Sequence, residues 1–252
     1  MQDIKYCYPN TNTLINKLNI KDEKTLFEAE KKLTLIRLQE LQDSPIIGNF
    51  DYKHLKDIHH YIFQDLYNWA GELRTVEIGK GNLFCTTEFL VSYGESVLDN
   101  YFKSCYKKRN DFKEFIKVFS SNYADLNALH PFREGNGRTQ REFARLICLK
   151  CGYIFDLSKT NHKEMLEASI LSFNNADNSK LEDIFLKSVI PISEYKSIDD
   201  NIKILSSDDL VIAIQENINN YQYYKEDNMD LINKYNLYYE EKIKNKRMET
   251  NK

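Results

Sequence analysis

The segment His130-Pro131-Phe132-Arg133-Glu134-Gly135-Asn136-Gly137-Arg138-Thr139-Gln140-Arg141 concentrates residue types that together can handle a nucleoside triphosphate. Gly135 and Gly137 allow positive φ and let the backbone approach a ligand closely. Successive amides entering a helix N-terminus form a nest for an anion, and the helix dipole adds to the attraction. Arg138 and Arg141 are three residues apart on that helix, so their guanidinium groups share a face. Arginine suits bidentate phosphate contact. Phe143, Leu146 and Ile147 occupy another side of the helix, which leaves the arginine face for a pocket. Glu134 sets a hard carboxylate oxygen beside the phosphate site, the kind of donor Mg²⁺ takes. His130 is the group here that exchanges a proton near neutral pH. The expected site is a triphosphate cradle with a base beside it.

Two helices must position this segment. Phe112, Phe115, Phe119, Tyr123 and Leu126 stripe the first, which has to end before Pro131. The second is expected from about Arg138 to Gly152, a left-handed cap. Upstream, Leu26, Ala29, Leu33, Ile36 and Leu41 stripe one helix, and His54, Leu55, Ile58, Ile62, Phe63 and Leu66 another. Between Leu73 and Phe84, short β-prone runs around Gly79-Lys80-Gly81-Asn82 read as a hairpin, expected near residues 74 to 86. Two further helices are expected over KEMLEASILSF and SKLEDIFLKSVI, closing near Pro191. No Gly or Pro follows Pro191, and six tyrosines crowd the stretch from Tyr221 to Tyr239. The expected organisation is a mostly α domain with one β-hairpin over residues 1–196, followed by a helical extension over 197–252.

Composition bounds the class. Eight Gly and four Pro in 252 residues are less than half the usual share of about 12%, which excludes turn-rich all-β designs. Net charge of −3 leaves no electrostatic footprint for direct nucleic-acid binding. No apolar run is long enough for a membrane span, and five cysteines without a secretory leader fit a reducing cytoplasm better than a disulfide framework.

The motif resembles the Fic (filamentation induced by cAMP) family signature HxFx(D/E)GNGRxxR at every specified position. Chance agreement at a given site is on the order of 10⁻¹¹. Phe63 to Asn82 is similar to that family's helix end and flap, and Glu167 to Phe185 to its closing helices. The resemblance implies AMP transfer from ATP to a Ser, Thr or Tyr hydroxyl of a target protein. It makes His130 the general base and gives the α-phosphate to Asn136 with the Gly135 and Gly137 amides. Glu134 then holds Mg²⁺, Arg138 grips the β-phosphate and Arg141 the γ-phosphate, and Phe132 anchors the loop. Ile78, Lys80 and Gly81 of the flap cover the nucleotide and pair with an extended target segment. Family members that phosphorylate instead carry a bulkier residue where this chain has Gly137. The resemblance further implies a toxin or regulator, with a topoisomerase ATPase subunit among the expected targets and a small antitoxin as a partner.

Alternatives stay open at this stage. The motif does not encode the nucleobase pocket, so UMP or phosphocholine transfer and a silent ATP-sensing module both remain. His54, His59, His60 and His162 read as structural, because none pairs with another ligand type at metal spacing. Cys148-Leu-Lys-Cys151 reads as mid-helix core packing, and Lys107-Lys108-Arg109 as a solvated loop. Family inhibitory helices bear (S/T)xxxE(G/N), whose glutamate pairs with the second motif arginine, here Arg141. The nearest candidate outside the motif is Glu216-Asn217, with Ile212 in place of the hydroxyl residue. If Glu216 does not reach Arg141, control by a separate partner is the expectation.

Overall fold

A computed structural model describes residues 5–80 and 82–194. The residues after 194 include Glu216 and the extension from 197, so the readings made on them lie outside the described residues. Seven helices carry the described fold: α1 (Glu23–Asp43), α2 (Tyr52–Phe63), α3 (Leu90–Lys108), α4 (Phe112–Leu129), α5 (Asn136–Lys150), α6 (His162–Asn175) and α7 (Ser179–Ser188). Strands β1 (Gly79–Lys80) and β2 (Asn82–Leu83) pair antiparallel as the expected hairpin. Among the described residues no helix is long and apolar enough to cross a membrane.

Helix starts follow local chemistry. The side chains of Asp22, Asp51, Asp111 and Asn161 accept from amides three residues on, satisfying N–H groups that have no carbonyl partner within the helix. α4 runs through the middle, packed against α3, α5, α6 and α7. α5 lies between α4 and α2, and α1 lies on α2. Phe119 and Phe185 meet edge to face at 4.9 Å, Phe115 stacks on Tyr153 at 4.3 Å, and Phe50 stacks on Phe102 at 4.3 Å.

Three details depart from the sequence expectation. A second antiparallel pair, β3 (Tyr153–Phe155) with β4 (Val189–Pro191), joins the segments that follow α5 and α7. Three-residue strands are shorter than any periodic signal. Cys151 caps α5 instead of sitting within it, followed by Gly152 at φ +86, though both thiols of the pair are buried as core. On α1 the buried stripe is Leu26, Glu30, Thr34, Leu35, Leu38 and Leu41, whereas Ile36 is exposed. The inward face is thus partly polar, which rotates it away from the line that apolar residues alone define.

Candidate functional site

α4 ends at Leu129, and His130 takes the left-handed conformation with φ 44 and ψ 60. That region is uncommon for histidine and costs on the order of 1–2 kcal/mol. Four contacts hold it there. The His130 N–H donates to the Leu126 carbonyl at 3.3 Å, and its own carbonyl accepts from Arg74 Nε at 2.9 Å. The imidazole stacks on Phe84 at 3.8 Å with 10° between the planes. Nδ1 lies 3.1 Å from the Asn127 carbonyl. A carbonyl only accepts, so Nδ1 carries a proton, which in the neutral ring leaves the lone pair on Nε2. This is the tautomer a general base needs.

The loop after His130 is built around Asn136 and His59. Asn136 is buried; its Oδ1 accepts from Phe132 N at 2.9 Å and its Nδ2 donates to Phe132 O at 2.7 Å. Its side chain therefore closes the loop rather than reaching outward. His59 is fully buried, accepts the Gly71 amide on Nδ1 at 2.8 Å and donates from Nε2 to Glu134 O at 3.0 Å. It also stacks on Phe132 at 3.8 Å. Burial pushes its pKa down to about 3, so it stays neutral. Gly135 turns at φ +81 with the Phe63 ring so close that a Cβ would lie 2.1 Å from it. Only glycine fits there.

α5 begins at Asn136, so its first amides open toward the space in front of His130. Arg138 is gripped from α1: its Nη1 donates to Thr34 Oγ1 at 3.0 Å, its Nη2 is paired with Glu30, and its guanidinium lies over Phe63 at 4.8 Å. Glu134 has one carboxylate oxygen on the Gly135 amide at 2.8 Å and sits 3.6 Å from Arg138 Nη2. A Cβ at Gly137 would lie 3.1 Å from Arg141 Nη1.

These groups line one cavity of about 700 Å³, a size typical for a small-molecule ligand. His130, Glu134, Gly135, Asn136, Gly137, Arg138 and Arg141 are all part of its lining, as is Ile78 at the hairpin. The backbone of Lys80 lies in β1, and Gly81 falls outside the described residues. Sequence reasoning missed Glu30 and Thr34 of α1 and Asn127 of α4, and it gave no part to His162, which lies on the cavity wall at the start of α6. It also missed Arg74, buried beneath the hairpin. A long cation two residues after Gly71-Glu72 carries no distinguishing pattern. Cys85, whose carbonyl Arg74 holds, is half-buried, and burial raises its thiol pKa.

One carboxylate beside a triphosphate is a sufficient protein contribution for Mg²⁺, which usually keeps water and substrate oxygens as its other ligands. Glu134 fits that demand, with its side chain 46% exposed on the cavity. Among the described residues there is no cluster of three ligating side chains that would hold a metal unaided.

Comparison with known proteins agrees with this geometry. Residues 49–148 match the model of the Fic/DOC family. The chain is 38% identical over 170 residues to a probable protein adenylyltransferase, y4lH, of Sinorhizobium fredii, covering 67% of this chain and 87% of that protein. It is likewise 38% identical over 174 residues to the protein adenylyltransferase VbhT of Bartonella schoenbuchensis, of which it spans 36%. Among solved structures, a Fic domain of Bartonella quintana with bound ADP aligns at TM-score 0.68 and 26% identity, covering 74% of this chain and 94% of that one. BepC of Bartonella tribocorum with bound AMPPNP shares the fold at TM-score 0.68 and 24% identity, covering 74% of this chain and 96% of that one. With the motif loop, the hairpin and the helices around them all accounted for, the chain belongs to the Fic/DOC family.

Proposed function

We propose that this chain is a protein adenylyltransferase that moves AMP from ATP to a Ser, Thr or Tyr hydroxyl of a target protein. The observation that carries the proposal is the placement of a fixed-tautomer histidine on the wall that also holds two arginines and a helix N-terminus. His130 Nε2 takes the hydroxyl proton as the oxygen attacks the α-phosphorus. The bond from that phosphorus to the bridging oxygen breaks, and pyrophosphate leaves with the electron pair. The amides that open α5 steady the charge on the α-phosphate in the transition state. Arg138 and Arg141 orient the leaving pyrophosphate, and Gly137 keeps space beside Arg141. Glu134 would hold Mg²⁺, which when bound would supply charge neutralisation along the triphosphate. The hairpin carrying Ile78, Lys80 and Gly81 receives the target segment by strand addition.

The likeness to named adenylyltransferases supports this reaction class. A cytoplasmic toxin restrained by a small antitoxin protein is the setting we propose, with a topoisomerase ATPase subunit as the first target to try. The test is incubation of a cell lysate with ATP labelled on the α-phosphate, with the wild type beside His130→Ala. Label should enter a protein only with the wild type, and mass spectrometry of that protein should read the added mass of AMP. Added UMP or phosphocholine, or no addition, would replace this reading.

A further inference from the structure

Glu30 is a carboxylate on the inward face of α1, between Leu26 and Thr34, and it is only 7% exposed. A buried ion pair is a poor source of stability compared with apolar residues of similar size. Its partners point to another use. One carboxylate oxygen holds Arg138 Nη2, and the other accepts the Tyr67 hydroxyl. Tyr67 is 1% exposed and stacks on Trp69 at 4.3 Å, so the far end of the chain of contacts is fixed in the core. One helical turn along, Thr34 Oγ1 accepts from Arg138 Nη1 at 3.0 Å. The same hydroxyl donates to the Glu30 carbonyl at 2.8 Å, which sets its lone pair toward the arginine. Both terminal nitrogens of a long flexible side chain are thus aimed from α1, while Phe63 limits the plane from beneath at 4.8 Å.

We infer that Glu30 is the positioning residue of this site: through Arg138, with Thr34 as its second arm, it presents a pre-oriented guanidinium to the triphosphate. The inference rests on the proposed nucleotide chemistry and deepens it. A competing account is that Glu30 is an anion that substitutes for phosphate and holds affinity down. The two accounts predict opposite signs.

The experiment measures Mg·ATP affinity of the full chain by titration calorimetry. Variants are Glu30→Ala, Glu30→Gln, Thr34→Val, Arg138→Ala and the double variant Glu30→Ala/Arg138→Ala. Misplacing a binding group by about 1 Å costs on the order of 10²-fold. Glu30→Ala should therefore weaken binding by about 10- to 100-fold, while Glu30→Gln, which keeps an oxygen for Arg138, should recover most of it. In the Arg138→Ala background the Glu30 substitution should add nothing, because the two act as one unit. A purely structural role would not produce that non-additivity. Should Glu30→Ala fail to fold, Thr34→Val asks the same question at nearly constant volume, with an expected loss of several-fold. Wild-type affinity in Glu30→Ala, full additivity with Arg138→Ala, or tighter binding in both Glu30 variants would each overturn the inference. Absence of Mg·ATP binding by the wild type would instead remove the nucleotide reading itself.

Discussion

A histidine in left-handed backbone geometry is strained, and at His130 the strain is held by contacts on every side of the residue. The arrangement separates two kinds of loss. In the proposed reaction, His130→Ala removes the base without touching the groups assigned to the triphosphate. Transfer should fall by 10²–10⁴-fold, the usual range for a general base, while the dissociation constant for Mg·ATP stays near the wild-type value. Label incorporation and calorimetry read the two quantities separately. Arg138→Ala should reverse the emphasis. A charge-assisted contact worth about 1.5–3 kcal/mol is removed, so nucleotide affinity should drop by roughly 10- to 100-fold. An Arg138→Ala variant that binds as the wild type does would place the guanidinium away from the phosphates.

α5 does two jobs along its length: its first turn faces the cavity and its middle is locked into the core. Glu142 and Arg145 pair there at 2.6 Å with side chains 2% exposed, and Arg145 also donates to Leu41 O at 3.2 Å. Glu142→Ala would leave a buried guanidinium without its counter-charge, a change that typically costs 3–5 kcal/mol. Urea denaturation should show a loss of that size, with little effect on nucleotide affinity while the variant is folded. Helices of this kind are legible in the sequence because Phe115, Phe119, Tyr123 and Leu126 recur on one face and Gly152 stops the next helix. The motif residues are legible because glycine, asparagine and arginine at fixed spacing have few other uses together. Glu30 and Thr34 are not, since a polar residue in a buried stripe counts against the stripe when only hydropathy is read. Asn136 lines the cavity, and what its type alone does not reveal is that its side chain also ties both backbone groups of Phe132. Lys80 and Gly81 mark a turn but leave its length open, and the strands prove to be two residues each.

Across the whole molecule, two histidines kept neutral by burial link stability to acid. His59 has a pKa of about 3 when folded, against about 6.5 in an open chain, and desolvation lowers His54 in the same direction. Above pH 6.5 both states are neutral and nothing is lost. As pH falls toward 3, the unfolded chain takes up protons that the folded chain refuses, so stability declines. His59 alone should contribute about 4 kcal/mol of loss between pH 7 and pH 3. His59→Gln keeps a donor and an acceptor but does not titrate. The difference in unfolding free energy between wild type and variant should therefore shrink steadily across that range. Arg74 has a consequence on another axis, that of time. Its amide donates to Pro131 O at 2.9 Å, Cys85 N donates to Ala128 O at 3.0 Å, and its guanidinium spans the carbonyls of Val76, Cys85 and His130. The root of the hairpin cannot open unless the end of α4 opens with it. In hydrogen exchange the amides of Arg74 and Cys85 should keep pace with the slowest core amides of α4, through global unfolding. Those of Asn82 and Leu83, within three residues of Cys85, should exchange by local opening and much faster. Because the root is tied to the same turn that sets His130, a target segment paired with the hairpin in the proposed reaction would be held in fixed register with that histidine.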